Sequence, residues 1–389
     1  MSLSLFLSSS VFLFSACTAF LVFSGSRKMK SLADVQLSNC PPSPLVSIIV
    51  PACNEEATLG PALRSLAELE YGNREIIVID DRSTDGTYGV MEKMAREFPE
   101  IRLVQVRELP SGWLGKNHAL SLGARQARGD ILLFTDADVV MEASTLGRAV
   151  YYFMAEELDH LCLIFQNTAR GGLLNAMVVD ALGGLLLLLR PWDVRKRGGR
   201  AFIGIGAFNM IARGPYRQLG GHAALRMHPI DDVMLGKKVR QQGFVQDCLL
   251  GTDFVRVRWY ETLAEMSRGL MKNIFALFSY RLIYALLAVI AVTLGTILPV
   301  WGLIFAHGAA RIFFAAALLC RFAVFVLNAK GLKLGSTLLP WSLVTPYITV
   351  SMIVRAVWTS LRSGGIDWRG THYSLRELKK EDPLIGFFL

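Results

Sequence analysis

Apolar and polar positions are unevenly distributed along the chain. Residues 3–23 form an apolar run about as long as a helix needs to cross a bilayer core, and no charged residue occurs before position 27. Basic residues follow this run at Arg27, Lys28 and Lys30, whereas a cleaved signal peptide carries them ahead of it. The pattern predicts an uncleaved anchor, with residue 27 onward on the cytoplasmic side.

From Val46 the pattern changes to short apolar runs alternating with amphipathic stretches. Strands are predicted at 46–50, 75–79, 101–106 and 131–135, and helices around 59–66, 90–98 and 116–127. Asn54, ahead of Glu55 and Glu56, reads as the N-cap of the first helix. Such alternation predicts an α/β domain with a mainly parallel sheet, helices on both faces, and ligand bound beyond the C-terminal ends of the strands.

Residues 172–189 are apolar enough to span a membrane but are interrupted by Asn175 and Asp180. They are expected to lie on the membrane or line an acceptor groove, with Arg195, Lys196 and Arg197 at headgroup level. Residues 261–278 mix apolar positions with Arg268 and Lys272, as an interfacial helix does. Further span candidates lie at 282–305, 313–327 and 338–358. Four crossings would leave Arg369, Arg376, Lys379 and Lys380 outside, against the preference of basic residues for the inside. The stretch holding Pro340 and Pro346 is therefore read as re-entrant, or one candidate does not cross. The expected organisation is an anchor (1–26), a linker (27–45), an α/β domain (46–260), an interfacial helix (261–280), a transmembrane region (281–360) and a tail (361–389).

Composition agrees with a membrane-anchored domain. Of 389 residues, 52% are hydrophobic and 19% charged, which excludes a disordered or collagen-like chain. The net charge of +9 suits an anionic lipid surface, and no zinc-finger spacing points to nucleic acid. Cys17, Cys40, Cys53, Cys162, Cys248 and Cys320 form no CxxC pair, so they are expected to be buried thiols in a reducing compartment.

Chemistry-bearing residues fall into four clusters. Asp80 and Asp81 follow the second strand, where a carboxylate can accept hydrogen bonds from a ribose or base, although the run through Gly86 also makes a good turn. Asp136 and Asp138 follow the strand at 131–135, where they can hold a hard divalent cation or cap a helix. Asp231 and Asp232 open a helix and offer a general base or a cap. Arg258 and Trp259 offer a planar phosphate donor and a flat face for a sugar, or simply a packing pair. Lys116, after Gly115 at a helix start, suits a diphosphate.

In this order the clusters resemble a membrane-bound family 2 glycosyltransferase with the GT-A nucleotide-sugar fold. The likeness covers roughly 46–260 and includes 51–56, Gly115-Lys116, Asp136-Ala137-Asp138, 204–207, Gly220-Gly221-His222, Asp231-Asp232, Arg258-Trp259 and the tail stretch 365–371. The nearest-looking branch glycosylates membrane lipids such as ceramide, hopanoid or carotenoid acids.

The resemblance implies that Asn54, Glu55, Asp80 and Asp81 hold the nucleoside of a UDP-sugar, and that Lys116 faces its phosphates. Asp136 and Asp138 would meet the diphosphate and Mg2+ or Mn2+, with Asp138 the direct ligand. Asp232 would be the base, with Asp231 standing where the family usually has Glu. Arg258 and Trp259 would close the site. The implied enzyme inverts the anomeric centre while moving a sugar to a hydroxyl or carboxyl of a membrane lipid, at the inner membrane with its catalytic domain in the cytoplasm. Processive relatives carry Gln three residues before the Arg-Trp pair. Here that place is Val255, which favours a single transfer. The alternatives are a processive polysaccharide synthase, a polyprenyl-phosphate sugar synthase, and a catalytically silent nucleotide-binding module.

Overall fold

The computed structural model describes residues 3–37, 43–196 and 198–384; Cys40, Arg197 and the end of the tail lie outside the described residues. Chain contacts divide it into two compact units. One comprises Met29–Thr168 and Arg190–Arg258; the other comprises Met1–Lys28, Ala169–Leu189 and Trp259–Leu389. The α/β domain expected over 46–260 is thus interrupted by an excursion into the second unit.

The strands of the first unit are β1 (Val46–Ala52), β2 (Arg74–Asp81), β3 (Ile101–Val106), β4 (Ile131–Phe134), β5 (Val139–Met141), β6 (His160–Ile164), β7 (Gln166–Asn167), β8 (Asn209–Ala212), β9 (Gln246–Leu250) and β10 (Val255–Val257). A seven-stranded sheet runs β3-β2-β1-β4-β8-β6-β9, and a small sheet runs β5-β10-β7. Strands β1 and β2 are buried along nearly their whole length, which is why they read as continuous apolar runs rather than alternating ones.

One expectation needs correction. Pairing is parallel from β3 through β4 and between β6 and β9, but β8 runs antiparallel to both β4 and β6. The sheet is therefore mixed. Asn209, which opens β8, lies opposite Phe134, which ends β4. The segment before β8 thus reaches the same sheet edge as the segments after β1, β2 and β4.

The helices Leu59–Ala67, Thr87–Glu97 and Gly115–Gln126 form near the expected positions, and Leu59, Leu63 and Leu66 face the core. Asn54 is not a helix cap: the first helix starts at Leu59 behind Thr58. Asn54 instead has φ 56°, a left-handed conformation that Asn tolerates better than most residues. The expected linker is partly structured as well. Leu250 N donates to Lys30 O at 2.9 Å, and Leu32 is fully buried in a short 3-10 turn.

Among the described residues, four helices are long and apolar enough to cross a membrane: Leu3–Ser26, Gly172–Asp193, Leu282–Phe305 and Gly308–Gly331. The pair Ser336–Leu343 and Thr345–Ser363 meets at 57°, a bend that fits either a broken span or the re-entrant segment expected there. Mid-helix Asp180 receives two bonds from Arg321, at 3.1 and 2.7 Å, and a third from Thr345. Arg321 also donates to Ser342 O at 3.2 Å. This pair ties the break to two long helices. A hairpin of β11 (Gly365–Trp368) and β12 (Thr371–Ser374) follows. Cys17 is exposed on the first helix and Cys320 is half-buried, whereas Cys53, Cys162 and Cys248 are buried as expected.

Candidate active site

Parallel register brings the ends of β1, β2 and β4 together. Ala52 pairs with Asp80, and Ile49 with Phe134, so the loops starting at Cys53, Arg82 and Thr135 leave from neighbouring positions.

The loops after β1 and β2 are knitted into each other. Asn54 N donates to Ser83 Oγ at 3.1 Å, and Asn54 Oδ1 accepts from Thr84 N at 2.8 Å. Glu55 N donates to Thr87 Oγ1 at 2.7 Å, and Glu56 Oε2 accepts from Gly86 N at 3.0 Å. Asp80 is buried and accepts from Ser83 N at 3.2 Å, which makes it a brace of its own turn. Asp81 is held by the Arg82 guanidinium at 2.9 and 3.2 Å. It lies so close to Gly115 that a Cβ there would collide with its carboxylate. A side chain at the position before Lys116 would have to displace the Asp81 carboxylate and the Arg82 guanidinium.

Lys116 is the hub of the acidic cluster. Its Nζ lies 2.7 Å from Asp136 Oδ1 and 3.6 Å from Asp231 Oδ1. Burial disfavours its charge, but the carboxylates of Asp136, Asp231 and Asp232 outweigh this and raise its pKa. Asn117, next on the helix, donates to Leu225 O at 2.6 Å and His228 O at 2.9 Å, which holds the loop leading to Asp231. Asp231 and Asp232 then open the helix Asp231–Gln241 as expected, where its dipole favours negative charge.

Both oxygens of Asp232 are fixed by backbone donors, Val233 N to Oδ1 and Gly206 N to Oδ2, each at 2.8 Å. Gly206 is also squeezed against Asp136: a Cβ on it would stand 2.7 Å from Asp136 Oδ2 and 3.4 Å from Asp232 Oδ2. The loop before β8 therefore joins the two acidic motifs.

Burial pushes the Asp231 carboxyl up to about 7 despite the ammonium of Lys116. Burial raises Asp232 too, opposed by Lys116 and its backbone donors. Burial and the charges of Asp136 and Glu55 push Asp138 up to about 7. Asp136, Asp231 and Asp232 thus surround one ammonium, with Asp138 and Glu55 nearby. Among the described residues no three acids or imidazoles stand close enough together to hold a metal ion by themselves, so Asp136 and Asp138 could supply only part of a cation's ligands.

His222, beside the cluster, was not assigned a role from sequence. Buried His222 places Nε2 3.9 Å from Asp231 Oδ2. Its Nδ1 lies 2.8 Å from Tyr216 OH, and its ring meets Phe134 edge to face at 4.6 Å. Burial lowers its pKa to about 3, so it stays neutral. Its signal in the sequence was the Gly220-Gly221 pair, whose positive φ values turn the chain so that His222 points inward.

Arg258 is exposed and follows β10, where Val257 pairs with Val139 in antiparallel register. It therefore sits level with Asp138. Trp259 belongs to the second unit and stacks on Tyr260 with ring centres 5.5 Å apart. The cluster consequently comprises Asp136, Asp138, Lys116, Asp231 and Asp232, with Glu55 and Arg258 beside it. Asp80 and Asn54 brace turns, and Asp81 lies under the helix carrying Lys116.

Comparison with known proteins gives a consistent picture. Residues 47–220 match the model of the glycosyl transferase family 2 family. A beta-monoglucosyldiacylglycerol synthase from Synechocystis sp. is 37% identical over 114 residues, which is 29% of this chain and 23% of that protein. A 4,4'-diaponeurosporenoate glycosyltransferase from Staphylococcus haemolyticus is 27% identical over 233 residues, 56% of this chain and 57% of that protein. The chain thus spans less than two thirds of the curated relatives it matches. In fold, it resembles the Pyrobaculum calidifontis mannosyltransferase PcManGT, solved with GDP-Man and Mn2+. The TM-score is 0.54 at 20% identity, covering 92% of this chain and 98% of that one.

Proposed function

The chain carries a family 2 glycosyltransferase domain of GT-A type, and on that premise we propose that it transfers one sugar from a UDP-sugar to a hydroxyl or carboxyl of a membrane lipid. The observation that carries this reading is the meeting of Asp136, Asp231 and Asp232 around Lys116 at the ligand-binding edge of the sheet. A lipid acceptor is supported by the relatives named for glucosyldiacylglycerol and diaponeurosporenoate, and by the four long apolar helices.

Asp232 takes the proton from the acceptor, in the orientation set by its two backbone bonds, as the acceptor oxygen attacks the anomeric carbon. The attack comes from the face opposite the departing diphosphate, so configuration inverts. Lys116 and the exposed Arg258 meet the phosphates. Asp136 and Asp138 would hold Mg2+ or Mn2+, which when bound offsets charge building on the leaving group. Val255 lies within β10 and is fully buried, so it offers a growing glycan nothing to bond, in keeping with a single transfer. We place the enzyme in the inner membrane with this domain in the cytoplasm.

The test is UDP release by the full chain in detergent, with a panel of UDP-sugars, Mg2+ or Mn2+, and a total lipid extract. Release with one sugar that requires lipid and stops with EDTA is expected. Failure to bind UDP at all would remove the proposal.

A further inference from the structure

His222 and Tyr216, beside the acidic cluster, form a hydrogen-bonded pair whose bonds fix where the imidazole carries its proton. Tyr216 lies on the short helix Arg213–Gln218, and His222 in the 3-10 turn Gly221–Leu225. The Tyr216 oxygen accepts from His222 N at 3.0 Å and stands 2.8 Å from His222 Nδ1. Those are the bonds it makes among the described residues, so its own proton goes to Nδ1. Burial, and after it the charge of Lys116, keep the ring neutral, which leaves its single N–H on Nε2. Both rings are buried, and Phe134 packs on them with ring centres 4.6 Å from His222 and 5.3 Å from Tyr216. A Cβ on Gly221 would stand 2.8 Å from the Tyr216 ring, so the turn closes tightly on it. Two apolar rings would fill this space at little cost in stability. What the polar pair adds is a directed N–H.

That N–H faces Asp231. Nε2 lies 3.9 Å from Asp231 Oδ2, while Lys116 Nζ lies 3.6 Å from the other oxygen, Oδ1. Both distances exceed a hydrogen bond, so the carboxylate stands between the two donors rather than on either. Asp232, in contrast, has both oxygens bonded to backbone N–H groups. A carboxylate left beside an ammonium turns towards it, because the charged donor is the stronger one. Lys116 would then be drawn from Asp136, 2.7 Å away, and from any phosphate placed there. We propose that Tyr216 fixes His222 as the Nε2–H tautomer, and that His222 positions the Asp231 carboxylate so that Lys116 stays available to the donor's diphosphate. His222 thus acts through Asp231. The assignment rests on the nucleotide-sugar reading above and adds to it a device that sets how tightly the nucleotide is held.

The experiment measures UDP affinity by calorimetry on the purified full chain in detergent with Mg2+, together with histidine-selective nitrogen NMR spectra of the same chain. His222→Leu should weaken UDP binding about tenfold, the lower end of what a hydrogen bond to a charged group is worth. His222→Gln, whose amide N–H falls near the place of Nε2, should restore most of the loss. The decisive comparison is with Asp231→Ala, where no carboxylate competes for Lys116: adding His222→Leu there should cost nothing further. A loss that persists in that background, or that His222→Gln fails to relieve, would make the histidine merely structural and overturn the proposal. Unchanged affinity in His222→Leu would overturn it as well. The spectra should show the Nε2–H form in the wild type and a mixture of tautomers in Tyr216→Phe; an Nδ1–H form in the wild type would sink the proposal. Should the leucine variant fail to fold, Tyr216→Phe carries the test: it should weaken UDP binding to a lesser degree, and unchanged affinity would count against the assignment. A wild-type chain that binds no UDP removes the transferase reading, whereas the spectra test the Tyr216–His222 pair without nucleotide.

Discussion

The two edges of the seven-stranded sheet both carry buried carboxylates, and they treat them in opposite ways. At the edge where β2 begins, Glu75 is buried yet accepts bonds from Ser47 Oγ at 2.6 Å, Arg128 N at 2.6 Å, Arg128 Nε at 3.0 Å and Arg102 at 3.1 Å. Burial would raise its pKa, but the bonds from Ser47 and Arg128 outweigh it and the group is held below its ordinary value. At the other edge, Asp138 and Asp231 are pushed up to about 7 for want of equal compensation. One edge is electrostatically complete. The other holds carboxylates that the fold alone does not fully compensate, and perturbed groups of this kind cluster at functional sites. The Asp180–Arg321 pair of the second unit belongs with the first kind, one acid and one guanidinium with their bonds filled.

The largest effect should come from removing the proposed base. Asp232→Asn keeps the shape but only one acceptor, so its amide nitrogen would face either the Val233 or the Gly206 N–H; UDP release should fall by about a thousandfold, with a melting temperature lower by about 3 °C. Retained turnover would move the base elsewhere, with Asp231 next in line. A compensated pair should behave in reverse: Arg321→Met should destabilise by about 3 kcal/mol by leaving half-buried Asp180 with only the Thr345 hydroxyl as partner. Adding Asp180→Leu should restore most of that loss, as measured by thermal unfolding in detergent.

Smaller effects sharpen the contrast. Between the ordinary aspartate value of 3.8 and about 7, the folded chain holds the Asp138 proton that the unfolded chain has lost. Stability therefore falls as pH rises through that window. In EDTA, Asp138→Asn should raise the melting temperature at pH 8 by about 3 °C and have no effect below the window. Saturating Mg2+ should erase the advantage at pH 8. The smallest change is expected for Asn54→Ala, which loses the bond from Thr84 N and should cost about 1 kcal/mol, with UDP affinity nearly unchanged. A large loss of affinity would restore Asn54 as a nucleoside contact.

Much of this arrangement was legible from the chain. Apolar runs ending in Asp80, Asp136 and a helix start at Asp231 disclose strand ends and helix starts, because local periodicity encodes them. What stayed hidden was relational. The reversal of β8 leaves no mark on a four-residue apolar strand, since direction is decided by where the chain has been. Asn54 has the composition of a helix cap and is claimed by a turn 30 residues away. Gly206 owes its identity to Asp136 and Asp232, which it meets only after folding. His222 carries no ligand spacing, and its importance lies in a neighbour nine positions on.

The reversed strand β8 also bears on how such proteins diversify. Between β7 and β8 the chain leaves the first unit at Thr168, contributes Ala169–Leu189 to the second, and returns at Arg190 ahead of Gly204 and Gly206. The returning stretch is firmly held: Arg195 pairs with Glu156 and Asp247, Ile203 N donates to Gln246, Gly199 O accepts from Arg240, and Phe202, Ile203 and Phe208 are fully buried. A change of length is therefore accommodated more easily in Ala169–Leu189, which leaves the first unit, than in the stretch that carries Gly204 and Gly206 back to the acidic motifs.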